Sequence, residues 1–261
     1  MLRYRVITGL VLAPLAIGAV FYLDTLAFAV VFWCVAAAAV YEWAGLLGLQ
    51  HVAARVAYVS AYGLCAVALW YLPAWHVPLM LAGVIVWLCA CVAVLTYPRL
   101  KDLYANAALL APLGLFIGSV GWVALVGIRQ VEQGSWWLLF MFGVVWGADV
   151  GAYFAGRAFG KRPLAPHVSP AKTWEGVAGG ALLPGIICGA AVMLWQPQPL
   201  FWLGVTLLLV GVSVFGDLFE SLLKRATGIK DSGTLLPGHG GMLDRIDSIL
   251  AVLPVLAVIL V

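Results

Sequence analysis

The feature that most constrains this chain is a succession of apolar segments, each close to the length of about 20 residues that a helix needs to cross a bilayer. Helices are expected because backbone groups in lipid must be hydrogen-bonded within the segment itself. Hydrophobic residues make up 65% of the 261 and charged residues only 10%, unlike a soluble protein. The sequence therefore predicts an all-α, polytopic integral membrane protein with about nine transmembrane helices. The segments are 6–23, 26–48, 53–72, 77–97, 107–128, 135–156, 174–195, 200–223 and 246–261.

The segments follow each other too closely to leave room for a separate soluble domain, so we predict a single transmembrane domain over residues 1–261. Residues 1–130 supply N-terminal helices with few site residues, and residues 131–261 carry the active site. The first segment has the basic start of a signal peptide, but it is long and leads directly into the second. We interpret it as a retained helix. The five cysteines lie in apolar runs and are interpreted as core residues.

The basic residues predict the orientation of the chain. If the N-terminus is cytoplasmic, every one of the 14 Lys and Arg residues except Arg129 falls on the cytoplasmic side. This asymmetry follows the positive-inside rule. The loops on the opposite side are short turns, so we expect the chemistry to be cytoplasmic.

Two carboxylates stand out within apolar segments. Glu42, in the second segment, is either a buried functional carboxylate or a residue near the cytoplasmic interface, and we favour the interface. Asp149 shares a helical stripe with Tyr153 and Arg157, at spacings of four. An intramembrane aspartate is a functional candidate, although neutralisation by Arg157 is the alternative. The glycines around Asp149 predict the close approach of another helix.

The segment SPAKTWEG, residues 169–176, predicts the start of a helix. Ser169 followed by Pro170 resembles an N-cap with proline at the first helical position, and Thr173 is a second candidate cap. Lys172 lies beside either start. A helix N-terminus with a lysine is suited to an anion, so Ser169, Lys172 and Thr173 are candidates for binding a substrate phosphate.

The richest cluster of charges runs from Ser221 to Asp247. Asp217, Ser221 and Lys224 share one helical face, and Asp244 and Asp247 share a face of the next helix. A loop joins the two helices, so we expect these faces to meet across a pocket. Carboxylates and cations at a phosphate site favour Mg²⁺, which binds one or two carboxylates together with substrate phosphates.

The loop itself contains Pro-Gly-His-Gly-Gly, residues 237–241, without the spacing of a Walker A motif. Its glycines can let backbone N–H groups approach a phosphate. Lys230 and the Lys224–Arg225 pair are candidates for further phosphate contacts. For His239 we leave open a role as catalytic base, as a phosphate hydrogen-bonding group or in the turn.

The pattern S-x-x-K-R-x4-K-D-x-G-x2-L-P-G-H-G-G-x2-D-R-x-D, from Ser221 to Asp247, resembles the signature of the phosphatidate cytidylyltransferase (CDP-diacylglycerol synthase) family. SPAKTWEG, Gly216–Asp217 and Gly147–Asp149 are similar to that family's other marked segments. The resemblance implies conversion of phosphatidate and CTP to CDP-diacylglycerol and pyrophosphate, with Mg²⁺ and room for a second metal ion. It also implies a homodimer in a bacterial-type inner membrane, acting at the bilayer surface without nucleic acid.

The resemblance also sets the site residues. The metal candidates it implies are Asp217 and Asp244 with Asp247, to which Asp149 is added as an intramembrane carboxylate. The catalytic candidates are Asp217, Ser221, Lys224, Arg225, Asp231, His239, Asp244, Arg245 and Asp247. Two alternative functions are a CTP-dependent polyprenol or lipid kinase and an ion-coupled membrane transporter. The kinase needs a base for its hydroxyl acceptor, and the transporter needs polar residues deep within several helices.

Overall fold

The computed structural model describes residues 2–193, 196–229, 232–233 and 240–261, without the side chains of residues 2–10 and 193. The predicted sites Lys230, Asp231 and His239 lie outside these residues. Each of the nine predicted apolar segments overlaps one long helix. The helices are α1 Leu2–Tyr22, α2 Thr25–Leu46, α3 Val52–Tyr71, α4 His76–Thr96, the short α5 Lys101–Tyr104, α6 Ala107–Gln130, α7 Gly134–Phe159, α8 Trp174–Met193, α9 Pro199–Thr227 and α10 Leu243–Leu260.

Seven of the described helices are long and apolar enough to cross a membrane. They are α2, α3, α4 together with the short 3₁₀ turn before it, α6, α7, α8 and α9. The prediction of an all-α polytopic membrane protein is therefore confirmed. The total number of spans and the side on which the N-terminus lies remain predictions. The five cysteines are free, as expected, but only Cys188 is buried; Cys34 and Cys89 are exposed, so the interpretation of all five as core residues is wrong.

Helices α2, α3 and α4 pack around α6, and two tryptophans fix α2 against it. Trp43 on α2 donates from Nε1 to the Leu110 carbonyl at 2.9 Å, and Trp122 on α6 donates to the Ala29 carbonyl at 2.8 Å. A buried indole N–H needs a partner, so each bond also sets how the two helices face each other. This arrangement gives the N-terminal half a rigid framework against which α10 packs.

Helices α7 and α8 approach each other through their glycines, as the sequence predicts. A Cβ on Gly151 would overlap the backbone of Gly179 and Gly180, and one on Gly180 would lie 2.8 Å from the Ala148 carbonyl oxygen. Small residues let two helix backbones come close in a membrane. Asp149 lies on the same helix, two residues before Gly151.

A two-stranded antiparallel hairpin separates α7 from α8. Strand β1, Pro163–Ala165, pairs with strand β2, Ser169–Thr173, and α8 starts at the next residue. Thr173 Oγ1 accepts a hydrogen bond from the Gly176 N–H at 3.1 Å, so Thr173 is the cap that the sequence offered as its second choice. The prediction that Ser169 caps the helix is wrong, because the pairing of β1 with β2 keeps Ser169 in an extended strand.

Helix α9 continues beyond its apolar part. The predicted segment ends at residue 223, but the helix runs to Thr227 and ends where Gly228 adopts a φ of 77°. The Gly228 N–H then bonds to the Lys224 carbonyl, a common way for a helix to terminate. The last turn therefore holds Lys224 and Arg225 in helical geometry, outside the apolar stretch.

Candidate active site

Helices α7, α9 and α10 enclose a polar cavity of about 440 Å³. It contains the acidic and basic side chains that the sequence singled out on three separate helices. Its walls also include the apolar Val145 and Trp146 of α7. The charged residues that line it are Asp149, Asp217, Glu220, Lys224, Asp244, Arg245 and Asp247.

The predicted faces of α9 and α10 do meet across this cavity, because the two helices are in close contact just beside it. A Cβ on Gly216 would lie 2.8 Å from Ala251 Cβ and 3.0 Å from the Asp247 carbonyl oxygen. Ser248 Oγ also donates to the Ser213 carbonyl at 2.9 Å. These contacts bring the residues next to Gly216 and Ser248, which are Asp217 and Asp247, to the same cavity.

Asp217 is held from two directions. Lys172 Nζ, at the end of β2, lies 2.6 Å from Asp217 Oδ2, and the two side chains are 26% and 35% exposed. Ser221 Oγ lies 3.4 Å from Asp217 Oδ1, one turn further along α9. The hairpin therefore brings a candidate phosphate-binding lysine directly to a candidate metal ligand.

Lys224 joins α9 to α10 at the other end of the cavity. Its Nζ lies 2.5 Å from Glu220 Oε2 and 2.6 Å from Asp244 Oδ1. The side chains of Lys224, Glu220 and Asp244 are only 16%, 5% and 12% exposed, so all three charges are largely withdrawn from solvent. Buried carboxylates on both sides of one ammonium group form a network in which each charge depends on the others.

Asp244 lies in the first turn of α10, before the apolar part of that helix. Its Oδ2 accepts a hydrogen bond from the Gly241 N–H at 2.8 Å. Burial acts to raise the pKa of Asp244, but hydrogen bonding with Glu220, Lys224 and the Gly241 amide outweighs it and holds that pKa at about 2. Asp244 is therefore a carboxylate at neutral pH, as a metal ligand must be.

Asp149 and Asp247 complete the acidic wall. The charge of Asp149 interacts with those of Asp217, Lys172 and Arg245, and the charge of Asp247 interacts with Asp217, Lys172 and Asp149. Arg157 donates instead to the Tyr153 hydroxyl at 3.1 Å. The predicted stripe of Asp149, Tyr153 and Arg157 thus exists on α7, while the cations that act on Asp149 come from β2 and α10.

Other predicted phosphate contacts lie on the hairpin and beside it. Arg225 is exposed, and its Nε donates to the Val168 carbonyl at 3.4 Å, which ties the end of α9 to the hairpin. Ser169 and Thr173 begin and end β2, with Thr173 occupied in capping α8. Of the three residues proposed on this segment, the structure brings Lys172 into contact with the cavity residues.

Two glutamates, one in the cavity and one near it, were not among the site residues predicted from sequence. Glu220 lines the cavity, and its spacing of four from Lys224 on one helix is a sequence signal for an ion pair. Glu42 is 2% exposed and accepts a hydrogen bond from the Leu243 N–H at 2.8 Å. Glu42 is therefore buried within the protein, whereas its depth in the membrane and its functional role remain predictions.

Comparison with known proteins shows the family of the chain. The sequence model described as "Cytidylyltransferase family" matches residues 3–261. A phosphatidate cytidylyltransferase of Pseudomonas aeruginosa is 44% identical over 264 residues, covering 100% of this chain and 97% of that protein. The protein of the same name from Haemophilus influenzae is 36% identical over 280 residues, covering 97% and 96%. One from Bacillus subtilis is 44% identical over 135 residues, half of each chain.

The match to the family runs through the N-terminal helices as well as the charged cavity. The two relatives that are 44% and 36% identical match this chain over nearly the whole length of both sequences. The resemblance found in the segment from Ser221 to Asp247 is thus one part of a similarity that covers the whole sequence. This chain belongs to the cytidylyltransferase family.

Proposed function

We propose that this protein is a phosphatidate cytidylyltransferase, which transfers the CMP group of CTP to phosphatidate and releases pyrophosphate. The observation that carries the proposal is the full-length similarity to two proteins of that name. The cavity supports it, since it combines five carboxylates with cations at the end of apolar helices. Such a place suits a lipid whose chains stay in the bilayer while its phosphate meets a nucleotide from water.

The reaction joins two anions. A phosphate oxygen of phosphatidate attacks the α-phosphorus of CTP, and the bond to the β-phosphate breaks as pyrophosphate leaves. The attacking phosphate is already a nucleophile, so the main requirement is to offset negative charge and to hold the reactants in line. Lys172 and Lys224 are placed for this, since each pairs with an aspartate that lines the cavity. Arg225 and Lys230 are proposed as further phosphate contacts.

We also propose that the site uses Mg²⁺. The donor chemistry fits: Asp149, Asp217, Asp244 and Asp247 present hard oxygen ligands to one cavity. Within the described residues, no three acidic, histidine or cysteine side chains form a closed ligand set. Mg²⁺ does not need one, because it takes one or two carboxylates together with waters and phosphates. When bound it would neutralise phosphate charge, and a second ion would add to this.

The orientation and assembly are further parts of the proposal. The distribution of basic residues supports a cytoplasmic N-terminus and an active site that faces the cytoplasm. The bacterial sources of the relatives support our proposal that the protein lies in the inner membrane of a bacterium. The homodimer implied by the family resemblance is retained as a prediction.

The decisive experiment incubates the purified protein with phosphatidate and CTP labelled in the cytidine, with and without Mg²⁺. We expect labelled CDP-diacylglycerol and free pyrophosphate, and no product in chelator. A lipid kinase would leave the label in released CDP and phosphorylate an alcohol instead. An ion-coupled transporter would move solute in proteoliposomes without CTP turnover. Either result would contradict the proposed function.

A further inference from the structure

Glu42 contacts the loop after α9 from the other half of the chain. Its Oε2 accepts the hydrogen bond from the Leu243 N–H at 2.8 Å, and the two residues are 201 positions apart. Ser232 Oγ lies 3.5 Å from the same oxygen. Ser232 and Leu243 stand on the two sides of residues 234–239, so one carboxylate fixes both described ends of this loop.

The contact completes a helix that has no cap of its own. Met242 precedes α10 and provides no side-chain hydrogen bond to its first N–H groups. Leu243 is the first residue of α10, and its N–H has no acceptor within the helix. Glu42 supplies that acceptor from α2, and its negative charge is favoured at the positive end of the helix dipole.

Two glycines make room for the carboxylate. A Cβ on Gly233 would overlap Glu42, whose side-chain atoms are its three nearest neighbours. A Cβ on Gly241 would overlap Glu42 Oε2 and Ser232 Oγ. Among the described residues, the positive-φ glycines are Gly48, Gly228 and Gly240, so backbone conformation does not require glycine at 233 or 241. The close approach of Glu42 explains both.

The same contacts lead to the candidate metal ligands. The Gly241 N–H donates to Asp244, and Asp244 in turn pairs with Lys224 of α9. Glu42 Oε1 is buried without a hydrogen-bond partner among the described residues. A buried carboxylate oxygen in that state lowers stability, so this glutamate is not explained by stability alone.

We propose that Glu42 is a positioning residue for cytidylyl transfer. It holds the start of α10 so that Asp244 and Asp247 face Asp217 across the cavity. It does this without lining that cavity itself. The inference rests on the proposed function for its kinetic part, whereas the structural part can be tested without any substrate.

Hydrogen exchange tests the structural part on the full-length protein in detergent. In Glu42→Ala, the Leu243 N–H loses its acceptor, so exchange of peptides covering 240–248 should accelerate by about tenfold or more. Glu42→Gln keeps one oxygen and should be intermediate. Trp43→Phe is the matched control, since it removes a buried hydrogen bond of the next residue of α2, to the Leu110 carbonyl of α6, and keeps the Glu42 carboxylate that accepts from Leu243. Its exchange over 240–248 should match the wild type.

Kinetics test the positioning role. A small misplacement of catalytic groups can cost about a hundredfold, so kcat of Glu42→Ala should fall about ten- to a hundredfold. The apparent KM for phosphatidate should change little, and Glu42→Gln should lie between Ala and wild type. Trp43→Phe should keep the kcat of the wild type, even if its melting temperature falls as far as that of Glu42→Ala. Equal effects of Trp43→Phe and Glu42→Ala on kcat would make Glu42 merely structural and overturn the proposal.

Gly233 provides an independent check. Gly233→Ala should lower kcat in the wild-type background, because its methyl group overlaps Glu42. In the Glu42→Ala background the same change should add little, since the space is open. Additive effects, or unchanged exchange in Glu42→Ala, would refute the proposal.

If Glu42→Ala does not fold, Glu42→Gln and Gly233→Ala provide the test. A wild type without cytidylyltransferase activity would refute the proposed function. The hydrogen-exchange comparison would still show whether Glu42 holds the start of α10.

Discussion

Lys172 Nζ lies 2.6 Å from Asp217 Oδ2, which joins the hairpin between α7 and α8 to the charged face of α9. The pair connects the residue for which we predict a phosphate contact with one for which we predict a metal contact. A substrate phosphate that reaches Lys172 is therefore beside the carboxylate proposed to hold Mg²⁺. Substitutions of these two residues need to be compared for this reason.

Lys172→Ala should weaken catalysis without disturbing the fold. A hydrogen bond to a charged group contributes about 1.5–3 kcal/mol, so we expect a loss of roughly ten- to a hundredfold in kcat/KM. It should appear in KM, or in kcat if the contact strengthens in the transition state. The melting temperature should change little, because a partly exposed pair contributes about 1 kcal/mol or less. Steady-state kinetics with each substrate varied will measure this.

Lys161→Ala is the matched control for that experiment. Lys161 is an exposed lysine just before the hairpin, where its backbone N–H, rather than its ammonium group, bonds to Glu175. Its kinetic constants should equal those of the wild type. Unchanged constants for Lys172→Ala with both substrates would leave the SPAKTWEG segment with a purely structural role.

The orientation can be measured with single cysteines at two exposed positions in a variant without the five native cysteines. The two positions lie on opposite sides of α8 in the chain. Lys161 comes just before the hairpin that leads into α8, and Gln198 comes just before α9. In intact bacterial cells, an impermeant maleimide should label position 198 and not position 161. Both should react after permeabilisation. Labelling of position 161 from outside would place the charged cavity on the wrong side for cytoplasmic CTP.

The glycine contact between α7 and α8 should be essential for stability. Gly151→Ala places a methyl group against the backbone of Gly179. Backbone atoms inside a helix cannot shift easily to make room for it. Overpacking of this kind costs about 1–3 kcal/mol, so the melting temperature in detergent should fall. Gly127→Ala on α6 is the control, because nothing lies within 4 Å of its Cβ. That variant should be neutral or up to about 1 kcal/mol more stable.

Helical periodicity was enough to place Asp217 and Lys224 of α9 at one cavity with the aspartates of α10, although it missed Glu220. Asp217, Ser221 and Lys224, like Asp244 and Asp247, are separated by whole turns, and that relationship is local. The cap of α8 could not be assigned, since Ser169 and Thr173 are equally good caps by composition. The choice depends on pairing between β1 and β2. The role of Glu42 depends on a contact across 201 positions, which no local pattern contains.

The strongest test of the site concerns Asp217 and Asp244, which approach the cavity from α9 and α10. Each already carries a cationic partner, Lys172 for Asp217 and Lys224 for Asp244. Replacement by asparagine keeps the volume and one oxygen but removes the charge. If these aspartates bind Mg²⁺, wild-type protein should gain thermal stability when Mg²⁺ is added, and each Asn variant should gain less. This measurement is independent of turnover.

Turnover should fall far more than stability. Loss of a metal ligand removes several kcal/mol of transition-state stabilisation, and each 1.36 kcal/mol is a factor of ten in rate. Asp217→Asn and Asp244→Asn should therefore each lose on the order of a thousandfold in kcat/KM. The double variant should be little worse than either, because residues that act as a unit are not additive. Ser221→Ala should be milder, since its hydroxyl orients Asp217 at 3.4 Å. Near-normal turnover of Asp244→Asn with an unchanged Mg²⁺ requirement would show that Asp244 serves only to pair with Lys224.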